Sequence, residues 1–199
     1  MLLNLSCSDN EKQTQKNIQN LFYKYHLKNS KNNKLKNGIK IIISKNLNTR
    51  YKGVLYKIKS INKLYFGIIN NHNAIVSIYR LRGKETASLF TNSNCIVLLD
   101  SKKNIIPQEE EEEDCFTFFI GEFPYQEYTD LELEWNCSKT EVVSENLIEG
   151  KYFFFFKEGL NNKICNIKAL KNNEQDVNIN YNIKNSSFIK KTTTNTVYN

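Results

Sequence analysis

The 199-residue chain is poor in the residues and motifs that mark common functions. It holds two prolines and seven glycines, which excludes collagen-like and proline-rich classes. Its only histidines are His26 and His72, and Cys7, Cys95, Cys115, Cys137 and Cys165 are never spaced as C-x-x-C. No zinc or other metal site and no cofactor is therefore expected. Walker, GxGxxG, HExxH and GxSxG motifs are all missing. The longest apolar run, Tyr152–Phe156, is far short of the roughly 20 residues that span a bilayer. The first nine residues lack a basic region and a long apolar region, so no signal peptide is expected. Five scattered cysteines, odd in number, predict reduced, mostly buried thiols and a cytoplasmic or nuclear protein.

What is present suffices for a core. Apolar residues make up 40% and aromatics 12%, which argues against wholesale disorder. Asparagine is unusually common, at 30 residues, and this coding bias dilutes every polar motif. The net charge of +7 hides an asymmetry. Residues 1–107 carry +15, residues 108–150 carry −13 and residues 151–199 carry +5. A basic front attracts phosphate; an acidic middle repels it or folds back onto the front.

Ser8 and Glu11 form a capping-box pattern, and Ile18, Leu21, Phe22 and Tyr25 then make one apolar stripe. These predict a helix over about 9–27. Residues 28–38 read as a basic loop. Short β-rich runs follow at Ile39–Ser44, Tyr51–Lys59, Leu64–Ile69, Ala74–Arg80 and Cys95–Leu99, a spacing that suggests a small barrel or sandwich. Gly53 would serve a tight bend or bulge. Pro107 and the acidic run Glu109–Asp114 read as a solvated linker. The alternative is a tethered polyanion competing for the basic face. A second set of runs comprises Cys115–Ile120, Leu131–Trp135, Lys151–Phe156, Ile164–Ala169 and Val177–Ile183. Phe153–Phe156 has to be buried on both faces. The expectation is mainly all-β, with an N-terminal helix and basic loop over 1–35 and a barrel over 36–106. An acidic linker over 107–114, a second β-rich unit over 115–183 and a disordered tail over 184–199 complete it.

No catalysis is expected. Neither histidine sits in a nucleophile context, and the pairs Glu132/Glu134 and Glu127/Asp130 fall where exposed carboxylates are ordinary. Basic and aromatic residues interleave instead. Arg50, Lys52, Tyr56, Lys57, Lys59 and Lys63 crowd one hairpin, and Arg80 and Arg82 follow the fourth run. Cations bind phosphate and aromatic rings stack on bases, so these eight are candidate nucleic-acid contacts. A solvated lysine face on an Asn/Lys-biased chain explains them equally well.

The stretch Gly38–Ile58 resembles the opening of the divergent Like-Sm domain of Trailer Hitch-type proteins. Gly38, Lys40 and Ile41 match its first strand. Arg50, Tyr51, Gly53, Leu55, Tyr56 and Ile58 match its Arg-Tyr-x-Gly-(Ile/Val)-Leu-Tyr-x-Ile run. Good resemblance covers about 21 residues and loose resemblance continues to Ile106. The family's helicase-binding Phe-Asp-Phe element and its Arg-Gly-Gly tails do not appear. The resemblance implies an Sm-like barrel and a non-catalytic adaptor of messenger-ribonucleoprotein type, with RNA and partner peptides as ligands. Tyr51, Gly53, Leu55 and Tyr65 are then candidate partner contacts. A structural subunit or interaction scaffold that does not touch RNA is the alternative.

Overall fold

The computed structural model describes residues 5–29, 38–81, 89–95, 115–159, 162–171, 177–182 and 187–190, with side chains for 12–29, 38–81, 115–159 and 162–171. The expected linker 107–114, its competition with the basic face, and Arg82 lie outside them. The chain divides into two compact units, Met1–Leu81 and Arg82–Asn199. Residues 82–106, expected in the barrel, fall in the second unit. No helix among the described residues is long and apolar enough to cross a membrane. The fold is mostly β with one N-terminal helix.

Helix α1 spans Leu5–Asn29. It starts earlier than the capping signal implied, so Ser8 lies inside it and is not its N-cap. Ile18 and Phe22 of the predicted stripe are buried, while Tyr25 reaches solvent. The strands β1 (Ile39–Asn46), β2 (Tyr51–Ile58), β3 (Lys63–Asn70) and β4 (Ile75–Arg80) form an antiparallel meander in chain order. The expected pairing of the first two runs is present, from Ile39 opposite Ile58 to Asn46 opposite Lys52.

Alternation along β2 decides which residues meet the helix. Val54, Tyr56 and Ile58 point to α1 and share a core with Ile18, Phe22, Ile39 and Ile69. Phe22 stacks on Tyr56 with ring centroids 4.3 Å apart. Gly67 makes room for it, because a Cβ there would lie 2.6 Å from the Phe22 ring. Burying such a ring contributes roughly 1.5–3 kcal/mol. Gly53, by contrast, marks no bulge. Its register opposite Ile68 and Lys45 is regular, and the irregularities fall at Ile41/Ile43 and Ile68/Ile69.

The four strands do not close a barrel among the described residues. The next described strand, β5, is Leu89–Cys95, and the expected run Cys95–Leu99 lies, beyond Cys95, outside the described residues. It pairs along all seven residues with β6 (Cys115–Glu122), which satisfies its backbone ladder within the second unit. There β6 also pairs with β9 (Tyr152–Glu158) in a three-stranded sheet. A five-stranded sheet holds β7 (Asp130–Trp135), β8 (Val142–Asn146), β10 (Ile164–Leu170), β11 (Val177–Asn182) and β12 (Ser187–Lys190), ordered β12-β11-β10-β7-β8. Both β8 and β12 were missed from sequence. Ser187–Lys190 is a strand paired with β11 where a disordered tail was expected.

The two sheets of this unit share a core of Phe119, Phe153 and Phe155 against Leu131, Leu133, Trp135 and Ile167. Phe154 is also fully buried, whereas Phe156, expected to be buried with the rest of the aromatic run, is only partly so. Glu132 and Glu134 take the outer positions of β7, and Glu132 pairs with Lys168 at 3.0 Å, which absorbs it into the fold. Lys151 pairs with Glu122 at 2.9 Å, and Lys157 pairs with Glu141. The acidic middle of the chain is thus partly neutralised by its own unit.

The thiol expectation is corrected. Cys137 and Cys165 form a disulfide across 28 residues, and Cys115 is disulfide-bonded as well. Sheet pairing brings the first two together, since β10 runs antiparallel to β7 with Ile164 opposite Trp135. The cytoplasmic expectation, which rested on free thiols, loses that support.

Candidate functional site

In a meander the β1–β2 and β3–β4 turns emerge at the same end of the sheet. Both turns here are built by an asparagine. The Asn48 Oδ1 accepts hydrogen bonds from the backbone N–H groups of Arg50 and Tyr51, each at 2.9 Å. The Asn70 Oδ1 does the same for His72 at 3.1 Å and Ala74 at 2.9 Å. These are Asx turns, in which a short carboxamide replaces a missing backbone acceptor. Asn73 takes a left-handed φ of 59°, which asparagine tolerates better than most side chains. A bond of 2.8 Å from the Asn71 N–H to the Arg50 carbonyl ties the turns to each other.

Between them lies a cleft of about 240 Å³. Its walls carry Arg50 and Lys52 from the first hairpin, and Asn71 and Asn73 from the second. Asn46, Asn48, Thr49 and Asn70 complete the polar lining, and Tyr51 and Ile69 also border it. No carboxylate lines it among the described residues.

The candidate nucleic-acid residues do not form one face. Arg50 and Lys52 border the cleft. Lys59 and Lys63 flank the β2–β3 turn at the opposite end, about 23 Å away along β2. Arg80 sits opposite Tyr65 on the helix side of the sheet, whereas Lys57 projects to the other side, opposite Lys40. Among the described residues, Lys52, Lys57, Lys59 and Lys63 make no ion pair.

Tyr56 is part of the core rather than a stacking surface. Its hydroxyl lies 2.8 Å from Nε2 of His26, and its ring stacks on Tyr65 at 5.6 Å. Burial drives the Tyr56 phenol far above its usual range, and the neighbouring Tyr65 and Tyr25 add to this. Burial lowers the pKa of His26, so it is neutral at pH 7. Of the candidate partner contacts, Tyr51, Gly53 and Leu55 are buried. Tyr65 is half-buried, with its own phenol raised by burial against the opposing pull of Arg80.

From sequence, Asn70–Asn73 reads as a turn, but none of the cleft's asparagines stands out as a site residue, because the chain's asparagine bias dilutes polar motifs. The legible signal was local: Asn48-Thr49-Arg50 and Asn70-Asn71-His72-Asn73 are Asx-turn patterns. Among the described residues no cluster of His, Cys, Asp or Glu is suited to a metal ion. Compared with known protein families, curated proteins and solved structures, the chain matches none.

Proposed function

We propose that this protein is a non-catalytic, RNA-associated adaptor whose N-terminal unit binds RNA phosphates. The observation that carries the reading is the segregation of charge. Met1–Leu81 holds +13, and Arg82–Asn199 holds −6. In the second unit lysines are spent on internal carboxylates, whereas Lys52, Lys57, Lys59 and Lys63 are left uncompensated by described neighbours. Arg50 and Lys52 border a cleft with no carboxylate among the described residues that line it. The hairpin that resembles the Like-Sm opening, Gly38–Ile58, is the same one that carries them. A helix followed by an antiparallel meander is compatible with the front of such a domain.

The test is anisotropy of the full chain with mixed-sequence single-stranded RNA between 50 and 200 mM salt. Phosphate-led binding makes log K fall with log salt, at a slope of about −0.7 per phosphate neutralised. Absence of binding at 50 mM salt overturns the proposal. A second reading, an interaction subunit that never meets RNA, draws on the disulfide-bonded cysteines. Disulfides persist in oxidising compartments rather than in the cytosol. Mass spectrometry after alkylation without reductant separates the two: Cys137 and Cys165 alkylated in native protein favour the first reading.

A further inference from the structure

We propose that the cleft between the two asparagine turns is a subsite for a single nucleotide of an RNA chain; this rests on the RNA reading of the N-terminal unit. At about 240 Å³ the cleft falls just below the roughly 300–1,000 Å³ of sites for drug-sized ligands, so it takes one monomer-sized group. Its chemistry is two-sided. Arg50 and Lys52 supply positive charge, and a guanidinium suits the planar, bidentate geometry of a phosphate. The carboxamides of Asn46, Asn71 and Asn73 present donor and acceptor together, the pattern that base edges and ribose hydroxyls read. With no carboxylate among the described residues of the lining, these residues favour neither a metal ion nor a cationic ligand and do not repel an anionic one.

The frame is also preorganised. Asn48 and Asn70 spend their carbonyl oxygens on holding the two turns, and the Asn71-to-Arg50 backbone bond fixes the turns against each other. A rigid cleft avoids the entropy of ordering two loops on binding.

The experiment is an NMR titration of the full chain with AMP, CMP, GMP and UMP, against ribose 5-phosphate and inorganic phosphate. Mononucleotides are expected to shift the backbone amides of Arg50, Tyr51, Asn71 and His72. Arg50→Gln should weaken them by about tenfold or more, the worth of a charge-assisted hydrogen bond. Asn46→Ala and Asn71→Ala remove exposed side chains that the turns do not use, so they stay informative if Arg50→Gln unfolds a turn. They should weaken nucleotides and leave inorganic phosphate unchanged. Equal binding of phosphate and nucleotides, indifferent to both alanines, reduces the cleft to an anion site and overturns the proposal. Silent amides in the cleft overturn it too, even where salt-dependent RNA binding by the full chain persists. Loss of that RNA binding in the unsubstituted chain sinks the parent reading instead, and nucleotide shifts would show that the cleft outlives it.

Discussion

In the N-terminal unit one helix covers a face of a four-stranded meander; in the C-terminal unit two sheets share an aromatic core. The first unit concentrates its packing on Phe22, Tyr56 and the space left by Gly67. The second spreads it over Phe119, Phe153, Phe155, Trp135 and their neighbours. Charge follows the same division. Glu122, Glu132 and Glu141 are paired with lysines of their own unit, while the lysines of the β2–β3 hairpin have no such partners among the described residues. Cysteine does too: the first unit contains Cys7 alone, and the second contains the other four. The C-terminal unit therefore uses its polar and reactive groups to hold itself together.

The largest break in this comparison is expected from Phe22→Ala. Removing a buried phenyl ring costs about 3–5 kcal/mol. Hydrogen exchange of β2 and β3 should accelerate, while the emission of Trp135, the single tryptophan and 2% exposed in the other core, stays unchanged. A Trp135 transition that moves by the same amount would show that the units unfold as one.

Reduction is expected to act the other way round. Closing a loop of 28 residues by the Cys137–Cys165 bond is worth roughly 3–4 kcal/mol in the chain-entropy account. Dithiothreitol should thus lower the denaturant midpoint read by Trp135 and leave exchange in β2 and β3 untouched. An unmoved Trp135 midpoint would mean that the aromatic core alone suffices.

Gly67→Ala is smaller, since overpacking costs about 1–3 kcal/mol. Its Cβ would meet the Phe22 ring at 2.6 Å. Combining it with Phe22→Leu should recover part of the loss; strict additivity would refute the contact as the cause.

The smallest effect is expected from pH. The pKa of His26 is lowered in the folded state by burial from its ordinary 6.5. Between the two values the unfolded chain binds the extra proton, so stability is full above pH 6.5 and is lost as pH falls through the folded value. Glu141, held below its ordinary 4.5 by the hydrogen bond with Lys157, acts only in more acid solution. Mild acid should therefore loosen the N-terminal unit first. His26→Gln should flatten that dependence between pH 7 and 5, measured by hydrogen exchange in β2.

Much of the secondary structure was legible. β1, β2, β3, β4, β6, β7, β9 and β10 start or end within a few residues of apolar runs visible in the sequence, because a strand's signal is its own alternation or continuity. The helix was legible from Ile18 and Phe22, but its start was not, since Ser8 offered a plausible cap that the longer helix overrides. Val142–Asn146 was missed because two exposed valines on an edge strand give no buried periodicity. Of the cleft, Arg50 and Lys52 were picked for their charge. Asn70–Asn73 was legible as a turn, but not as part of a site, and Asn46 and Asn48 were not singled out.

Composition and local periodicity by themselves determined a mostly β chain with one amphipathic helix, a basic N-terminal part and an aromatic C-terminal core. These depend on neighbours a few residues apart, where backbone geometry links spacing to face. Only the tertiary structure decided that β5 joins β6, that Cys137 meets Cys165, that Phe22 lies over Gly67, and that two asparagine turns enclose one cleft. Each is a contact between segments far apart in the chain. Its partner is chosen by register and by the volume available, and neither leaves a trace in either segment alone.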